Sequence, residues 1–231
     1  MDTLAGTVKE ITSNVRSSVP PTAEEINSAK RLANSEHYAR LWDKWHKFTW
    51  PMGARYVDCK LDNYTVENGS QRLVVDELQK YADDLNLHVN EGRGIVLYGP
   101  SGTGKDHLLT GLSRVAIRNG VTIRWINGST LYREIREGMG EDEDEIVRRY
   151  VYPKILYISD PVPPVGGVTP FQASTLFAII DARYRDKKPT WASLNVADGK
   201  EAELRLGSAI VDRLRDGAIS LRCNWPSFRK C

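Results

Sequence analysis

Gly94-Ile95-Val96-Leu97-Tyr98-Gly99-Pro100-Ser101-Gly102-Thr103-Gly104-Lys105-Asp106-His107-Leu108-Leu109 decides the fold. Its first five residues predict a buried strand, and Asp106 opens an apolar-periodic helix. Between them Gly99 to Lys105 follow the pattern G-x-x-x-x-G-K, in which glycines let successive amides turn inward around phosphate. Lys105 is placed to reach the β and γ phosphates, and the helix directs the positive end of its dipole at the same point. The pattern departs from its usual form at one position: Asp106 stands where Ser or Thr is expected.

Outward from the loop, strands are predicted at Val121–Ile126, Ile155–Ile158, Thr190–Leu194 and Ile219–Cys223, with helical patterns between most of them. Alternation of strand and helix implies right-handed crossovers and a mainly parallel five-stranded sheet covered on both faces. Ligands of such sheets sit at the strands' carboxyl ends. Ahead of the loop strand, an extended segment from Asp58 leads into a helix from about Ser70 to Leu85. Residues 1–21 end in Pro20-Pro21 and predict a flexible arm. Thr22 and Glu25 have capping-box spacing, and Ile26, Leu32, Tyr38, Leu41, Trp42, Trp45 and Phe48 continue with helical spacing to Pro51. That aromatic stripe is expected to pack on its own domain. The acidic run Glu141–Glu145 reads as a solvated loop or helix start.

With 231 residues, 41% hydrophobic and 27% charged, the chain can build one sizeable core with a small appendage. No apolar run approaches the roughly 18 residues of a membrane helix, and Asp2, Lys9 and Glu10 interrupt any signal-peptide core. A cytoplasmic protein with no membrane contact is therefore expected. Three cysteines, Cys59, Cys223 and Cys231, are too scattered for a zinc cluster or a disulfide framework. A formal net charge of +2 gives no global attraction to nucleic acid, so any such contact needs a local basic surface.

Metal chemistry depends on two places. In P-loop ATPases a hydroxyl after the lysine ligates Mg²⁺, and acidic residues at a neighbouring strand end complete the metal's surroundings. Here the third predicted strand ends in Ser159-Asp160-Pro161 and offers one carboxylate. If Ser159 takes the metal-side place, Asp160 is the base; if Asp160 takes it, Pro161 stands where the base belongs. Asp106 and Ser159 either exchange the usual hydroxyl and carboxylate, or Asp106 is a helix-start residue favoured by the dipole. Asn195, after the fourth strand, is either a turn residue or one that orients water near the γ phosphate. Arg213 and Arg229 are cations suited to phosphate.

Together these residues resemble the DnaC/IstB family of AAA+ ATPases, which includes bacterial helicase loaders and helper ATPases of insertion-sequence transposition. The resemblance is carried by Cys59-Lys60-Leu61-Asp62-Asn63-Tyr64, by Gly102-Thr103-Gly104-Lys105-Asp106-His107-Leu108, and by Asp181-Ala182-Arg183-Tyr184 with Lys188-Pro189-Thr190 and Asn195. Leu206-Gly207 with Asp212-Arg213-Leu214, and Asn224-Trp225-Pro226-Ser227-Phe228-Arg229, complete it over about residues 57 to 230. It implies a P-loop AAA+ core at 57–231 with no separate C-terminal lid domain, and a short helical N-terminal extension at 22–56 as a partner-binding element. It implies ATP and Mg²⁺ as cofactors, with Gly99, Pro100, Ser101, Gly102, Thr103, Gly104, Lys105, Asp106 and His107 at the nucleotide and Asp106, Ser159 and Asp160 at the metal. Asn195 becomes a sensor, Arg213 a finger acting on a neighbour's nucleotide, and Arg229 a terminal sensor. The finger role falls to Arg213 alone because Ala209 occupies a position that is often arginine in the family. Implied partners are a replicative helicase, single-stranded DNA and further copies of the chain, head to tail. The alternatives are a transposition helper that prefers duplex DNA, or a nucleotide-dependent scaffold that has lost hydrolysis with its acidic pair.

Overall fold

A computed structural model describes residues 23–137, 143–163 and 165–229. The expected arm at 1–21, Thr22 of the capping box and Glu141-Asp142 of the acidic run lie outside the described residues. Five strands, β1 (Ile95–Tyr98), β2 (Ile123–Asn127), β3 (Ile155–Ser159), β4 (Thr190–Leu194) and β5 (Ile219–Arg222), form one sheet in the order β2-β3-β4-β1-β5. Every pairing is parallel.

The central strands β3 and β4 are buried along their whole length, whereas both edges are partly exposed. A parallel strand covered on both faces has no solvent side, so Ile155-Leu156-Tyr157-Ile158 reads as a continuous run without apolar–polar alternation. Alternate residues of that run supply two separate cores. One face carries Ile95, Leu97, Ile155, Tyr157 and Trp191 against α2 (Gly69–Asp83), α3 (Leu85–Glu91) and α4 (Lys105–Arg118). The other carries Val96, Leu156, Ile158, Ala192 and Leu194 against α5 (Gly128–Glu137), α7 (Pro170–Arg185), α8 (Gly199–Leu206) and α9 (Ser208–Arg215). α6 (Glu143–Val151) precedes β3.

Capping explains several boundaries. Asn68 and Gln71 form a reciprocal capping box at the start of α2, and Thr169 with Gln172 does the same for α7, whose first residue is Pro170. The helix expected at about Ser70 to Leu85 ends at Asp83, and a second short helix follows it, closed by Gly92 in the left-handed conformation.

Within α1 (Ala23–Thr49) the described chain divides into two compact units, the boundary lying between Trp42 and Asp43. The aromatic stripe divides with it. Trp45 and Phe48 are buried in the core of the larger unit, Trp45 donating from Nε1 to the Val57 carbonyl at 2.9 Å. The packing expected of the stripe is met in its last turn, by Trp45 and Phe48; Tyr38 and Trp42 belong to the smaller unit, where they are 66% and 51% exposed. The described helices include none long and apolar enough to cross a membrane.

At the amino ends of β3 and β4, Arg183 is fully buried. Its guanidinium donates to the carbonyls of Tyr150 (2.9 Å), Pro153 (3.0 Å), Lys154 (2.9 Å) and Pro189 (2.7 Å), and to Thr190 Oγ1 (3.1 Å). Burial pulls its pKa down to about 9. A planar five-donor fork can satisfy this many acceptors from one point, which lysine cannot.

Candidate functional site

The carboxyl ends of β1, β3 and β4 open into a cleft of about 770 Å³, lined by the loop 101–107, by Trp125, Asn127, Ser159, Asp160 and Asn195, and by Arg229. The loop's backbone is set by three glycines with positive φ, Gly99 (143°), Gly102 (82°) and Gly104 (84°). Side chains rarely adopt such values, and all three positions also lack room: a Cβ on Gly99 would lie 2.2 Å from the Cys223 carbonyl oxygen. A Cβ on Gly102 would lie 1.9 Å from Ser227 Oγ, and one on Gly104 would lie 2.6 Å from the Tyr64 ring. Gly104 then caps α4, so the helix begins at Lys105.

Lys105 is nearly buried and donates to the carbonyls of Gly99 (2.8 Å) and Pro100 (2.7 Å). An ammonium has three donors, and the remaining approach, to Thr103 Oγ1, is a loose 3.5 Å. One donor therefore stays available to an anion in the loop. Burial lowers the Lys105 pKa from its ordinary value.

The terminal segment after β5 closes over the loop. Cys223 N donates to Tyr98 O (2.7 Å), Trp225 Nε1 to Thr103 O (3.0 Å) and Phe228 N to Gly102 O (2.9 Å). Tyr64 meets the same Thr103 carbonyl at 2.7 Å and packs edge-on against Phe228 and His107. His107 Nε2 lies 3.0 Å from Lys60 O and 2.9 Å from Asn63 Oδ1, which ties the lead-in segment 59–64 to the first turn of α4. Burial lowers its pKa.

At the end of β3 the structure separates the two residues whose register the sequence left open. Ser159 is the last strand residue and its hydroxyl donates to Asp106 Oδ1 at 3.0 Å. Asp160 follows in the left-handed region at φ 50°, a conformation costly for a non-glycine residue. The backbone there is enclosed: Asp160 N donates to Ser193 O at 2.9 Å, and a Cβ on Gly128 would lie 2.3 Å from Asp160 O. Its Oδ2 accepts from Asn195 Nδ2 at 2.8 Å, while Oδ1 is buried without a partner. Burial raises the carboxyl's pKa, and the Asn195 bond opposes that shift.

Asp106 itself has unexpected company. Besides Ser159, the hydroxyls of Tyr157 (2.7 Å) and Ser193 (2.6 Å) donate to the same oxygen. The sheet's period explains the convergence. Tyr157 and Ser159 are two apart on β3 and share a face, and Ser193 is paired with Ser159 across β3 and β4. Neither Tyr157 nor Ser193 was singled out by sequence; the available signal was the hydroxyls of Tyr157, Ser159 and Ser193 in the carboxyl halves of two mostly apolar strands.

Arg229 lines the cleft, but Arg213 does not. Arg213 lies on α9, where its Nε donates to Asp181 Oδ1 (3.0 Å) and its plane faces Phe177 and Tyr184. It borders a separate cavity near the amino ends of β1, β4 and β5. Among the described residues no cluster of three or more His, Cys, Asp and Glu side chains is gathered for a metal. A hard cation shared with phosphates needs only one or two carboxylates, and the unpartnered Asp160 Oδ1 is an oxygen of that kind.

Comparison with known proteins agrees with this architecture. The sequence model of the IstB-like ATP-binding proteins matches residues 57–231. The chain is 25% identical over 182 residues to the replicative helicase loader DnaC of Buchnera aphidicola subsp. Acyrthosiphon pisum (strain APS), covering 76% of this chain and 71% of that protein. It is 27% identical over 159 residues to an ATP-binding protein of insertion sequence IS232 from Bacillus thuringiensis subsp. berliner, covering 65% and 62%. The crystal structure of the DnaC helicase loader superposes with a TM-score of 0.66 at 20% identity, over 74% of this chain and 99% of that one, a likeness of fold. The parallel sheet, the phosphate loop and the match across 57–231 lead to one conclusion: this chain belongs to the IstB-like ATP-binding protein family and is an ATP-binding AAA+ protein of the DnaC/IstB type.

Proposed function

We propose that the protein is a nucleotide-controlled loader, which assembles head to tail on single-stranded DNA and delivers a replicative helicase. The observation that carries this reading is the contact between the phosphate loop and the terminal segment, because the bonds of Trp225 and Phe228 to the loop give bound nucleotide a route by which to move that segment. Similarity to a replicative helicase loader supports the choice of partner.

In this reading the amides of 99–104 and the ammonium of Lys105 hold the phosphates, and Arg229 approaches them from the terminal segment. Asp106, Ser159 and Asp160 would hold a Mg²⁺ ion, whose charge would polarise the terminal phosphate. Asp160 is the group placed to accept a proton from water, and its bond to Asn195 Nδ2 orients it. Arg213 lies outside the cleft of its own chain and in this reading acts on the nucleotide of a neighbour, as an interface that does not close would allow along a spiral.

The test is DNA binding at two salt concentrations with and without ATP. Loader function predicts single-strand binding that strengthens with ATP and weakens steeply with salt. Affinity indifferent to both contradicts it. Preference for duplex DNA supports the transposition-helper reading, which the insertion-sequence relative favours.

A further inference from the structure

We propose that Asp106 is a one-oxygen carboxylate ligand for the divalent cation accompanying the nucleotide, and that Tyr157, Ser159 and Ser193 are positioning residues that hold it. The inference rests on the nucleotide reading above and adds to it that this chain has moved the metal-side negative charge from the strand end to the loop.

Three hydroxyl donors at 2.6, 2.7 and 3.0 Å converge on Asp106 Oδ1. An oxygen so engaged has no lone pair left for a cation. Among the described residues no donor reaches Oδ2, and Asp106 lines the cleft. The arrangement therefore fixes the rotamer through one oxygen and presents the other.

Two alternatives fit less well. A residue serving only the helix start would turn its carboxylate to free amides of the first turn, but its three bonds go to strand hydroxyls instead. A residue serving only packing would be neutralised by a cation, but among the described residues its bonded donors are the neutral hydroxyls of Tyr157, Ser159 and Ser193. The fully buried Tyr157 ring is explained by the same arrangement, since its hydroxyl donates to Asp106. Ser159, where a metal-side carboxylate is usual, has become a donor to the group that replaces it.

The experiment measures affinity for ATP with Mg²⁺ and in EDTA, together with Mn²⁺ binding by electron paramagnetic resonance in the presence of ATP. The unaltered protein should bind ATP more tightly with Mg²⁺. Asp106→Asn keeps an acceptor for the three hydroxyls but removes the charge; it should lose about tenfold or more of the Mg²⁺-dependent gain and bind ATP at least as well in EDTA. Tyr157→Phe and Ser193→Ala should each weaken Mn²⁺ with little change in metal-free affinity, a separation that loss of packing would not produce. The exchange Asp106→Thr with Ser159→Asp should recover Mg²⁺ dependence lost in either single variant. Unchanged Mg²⁺ dependence in Asp106→Asn, or an exchange no better than its singles, overturns the inference while leaving ATP binding intact. Failure of the unaltered protein to bind ATP at all overturns the nucleotide reading and this inference together.

Discussion

Two ionic groups at opposite ends of the same strands, one fully buried and one half-buried, are treated in opposite ways. Arg183, at the amino ends of β3 and β4, is enclosed with each reach of its fork matched by a carbonyl or hydroxyl. Asp160, at the carboxyl end of β3, sits in a costly backbone conformation with one carboxylate oxygen bonded and the other orphaned. A buried charge with all its bonds made serves the fold; one left partly unmade in a cleft is kept for something else. Asp106 belongs with the second kind, one oxygen saturated and the other open.

Breaking the saturated end should cost most. Arg183→Met removes five donors and leaves several buried carbonyls unsatisfied, so unfolding free energy should drop by at least about 3 kcal/mol, read from the denaturant midpoint. Arg183→Lys should recover only part of it, because a point charge cannot replace the fork.

Relieving the unsaturated end should act the other way. Burial raises the folded-state pKa of Asp160, so between its ordinary and its raised value the native state holds a proton that the unfolded chain has released. Stability from this group is present below the ordinary carboxyl range and is lost as pH rises through the raised value. Asp160→Asn should flatten that part of the pH profile and raise the Tm of the nucleotide-free protein at neutral pH. Any ATP turnover should meanwhile fall by about 10²–10⁴-fold. A lower Tm at neutral pH would remove the contrast with Arg183.

A smaller effect tests the contact between loop and terminal segment. Gly102→Ala combines a positive φ with a collision against Ser227, costing about 1–2 kcal/mol in stability by the backbone alone. ATP affinity should fall with it, and Ser227→Gly in the same chain should return part of the affinity. Smallest of all on the isolated chain is Arg213→Ala, whose ion pairs are near the surface. It should leave monomer stability and ATP binding nearly unchanged while lowering turnover in assembled protein, measured by concentration-dependent hydrolysis.

Much of the fold was readable because its signals are local. The loop glycines, the apolar strand before them and the regular return of strand patterns all lie within short windows, and β4 was placed to the residue. The site was less readable wherever it depends on juxtaposition. Whether Ser159 or Asp160 faces the loop turns on the parity of β3, and one residue of slip reverses the answer. Tyr157 and Ser193 are 36 positions apart in sequence and meet on Asp106 only because β3 and β4 pair in that register. The place of the aromatic stripe was equally hidden: a shared helical period does not show that Trp45 and Phe48 enter the core of the larger unit.

ATP is expected to bind in the cleft at the carboxyl ends of β1, β3 and β4. Trp125 lines that cleft and the Trp225 indole is bonded to the loop's Thr103 carbonyl, so intrinsic fluorescence reports on it from two sides. Titration with ATP should give a saturable change in the unaltered protein that is lost in Lys105→Ala without loss of fold. Saturable binding of equal strength in Lys105→Ala would place ATP elsewhere and contradict the account.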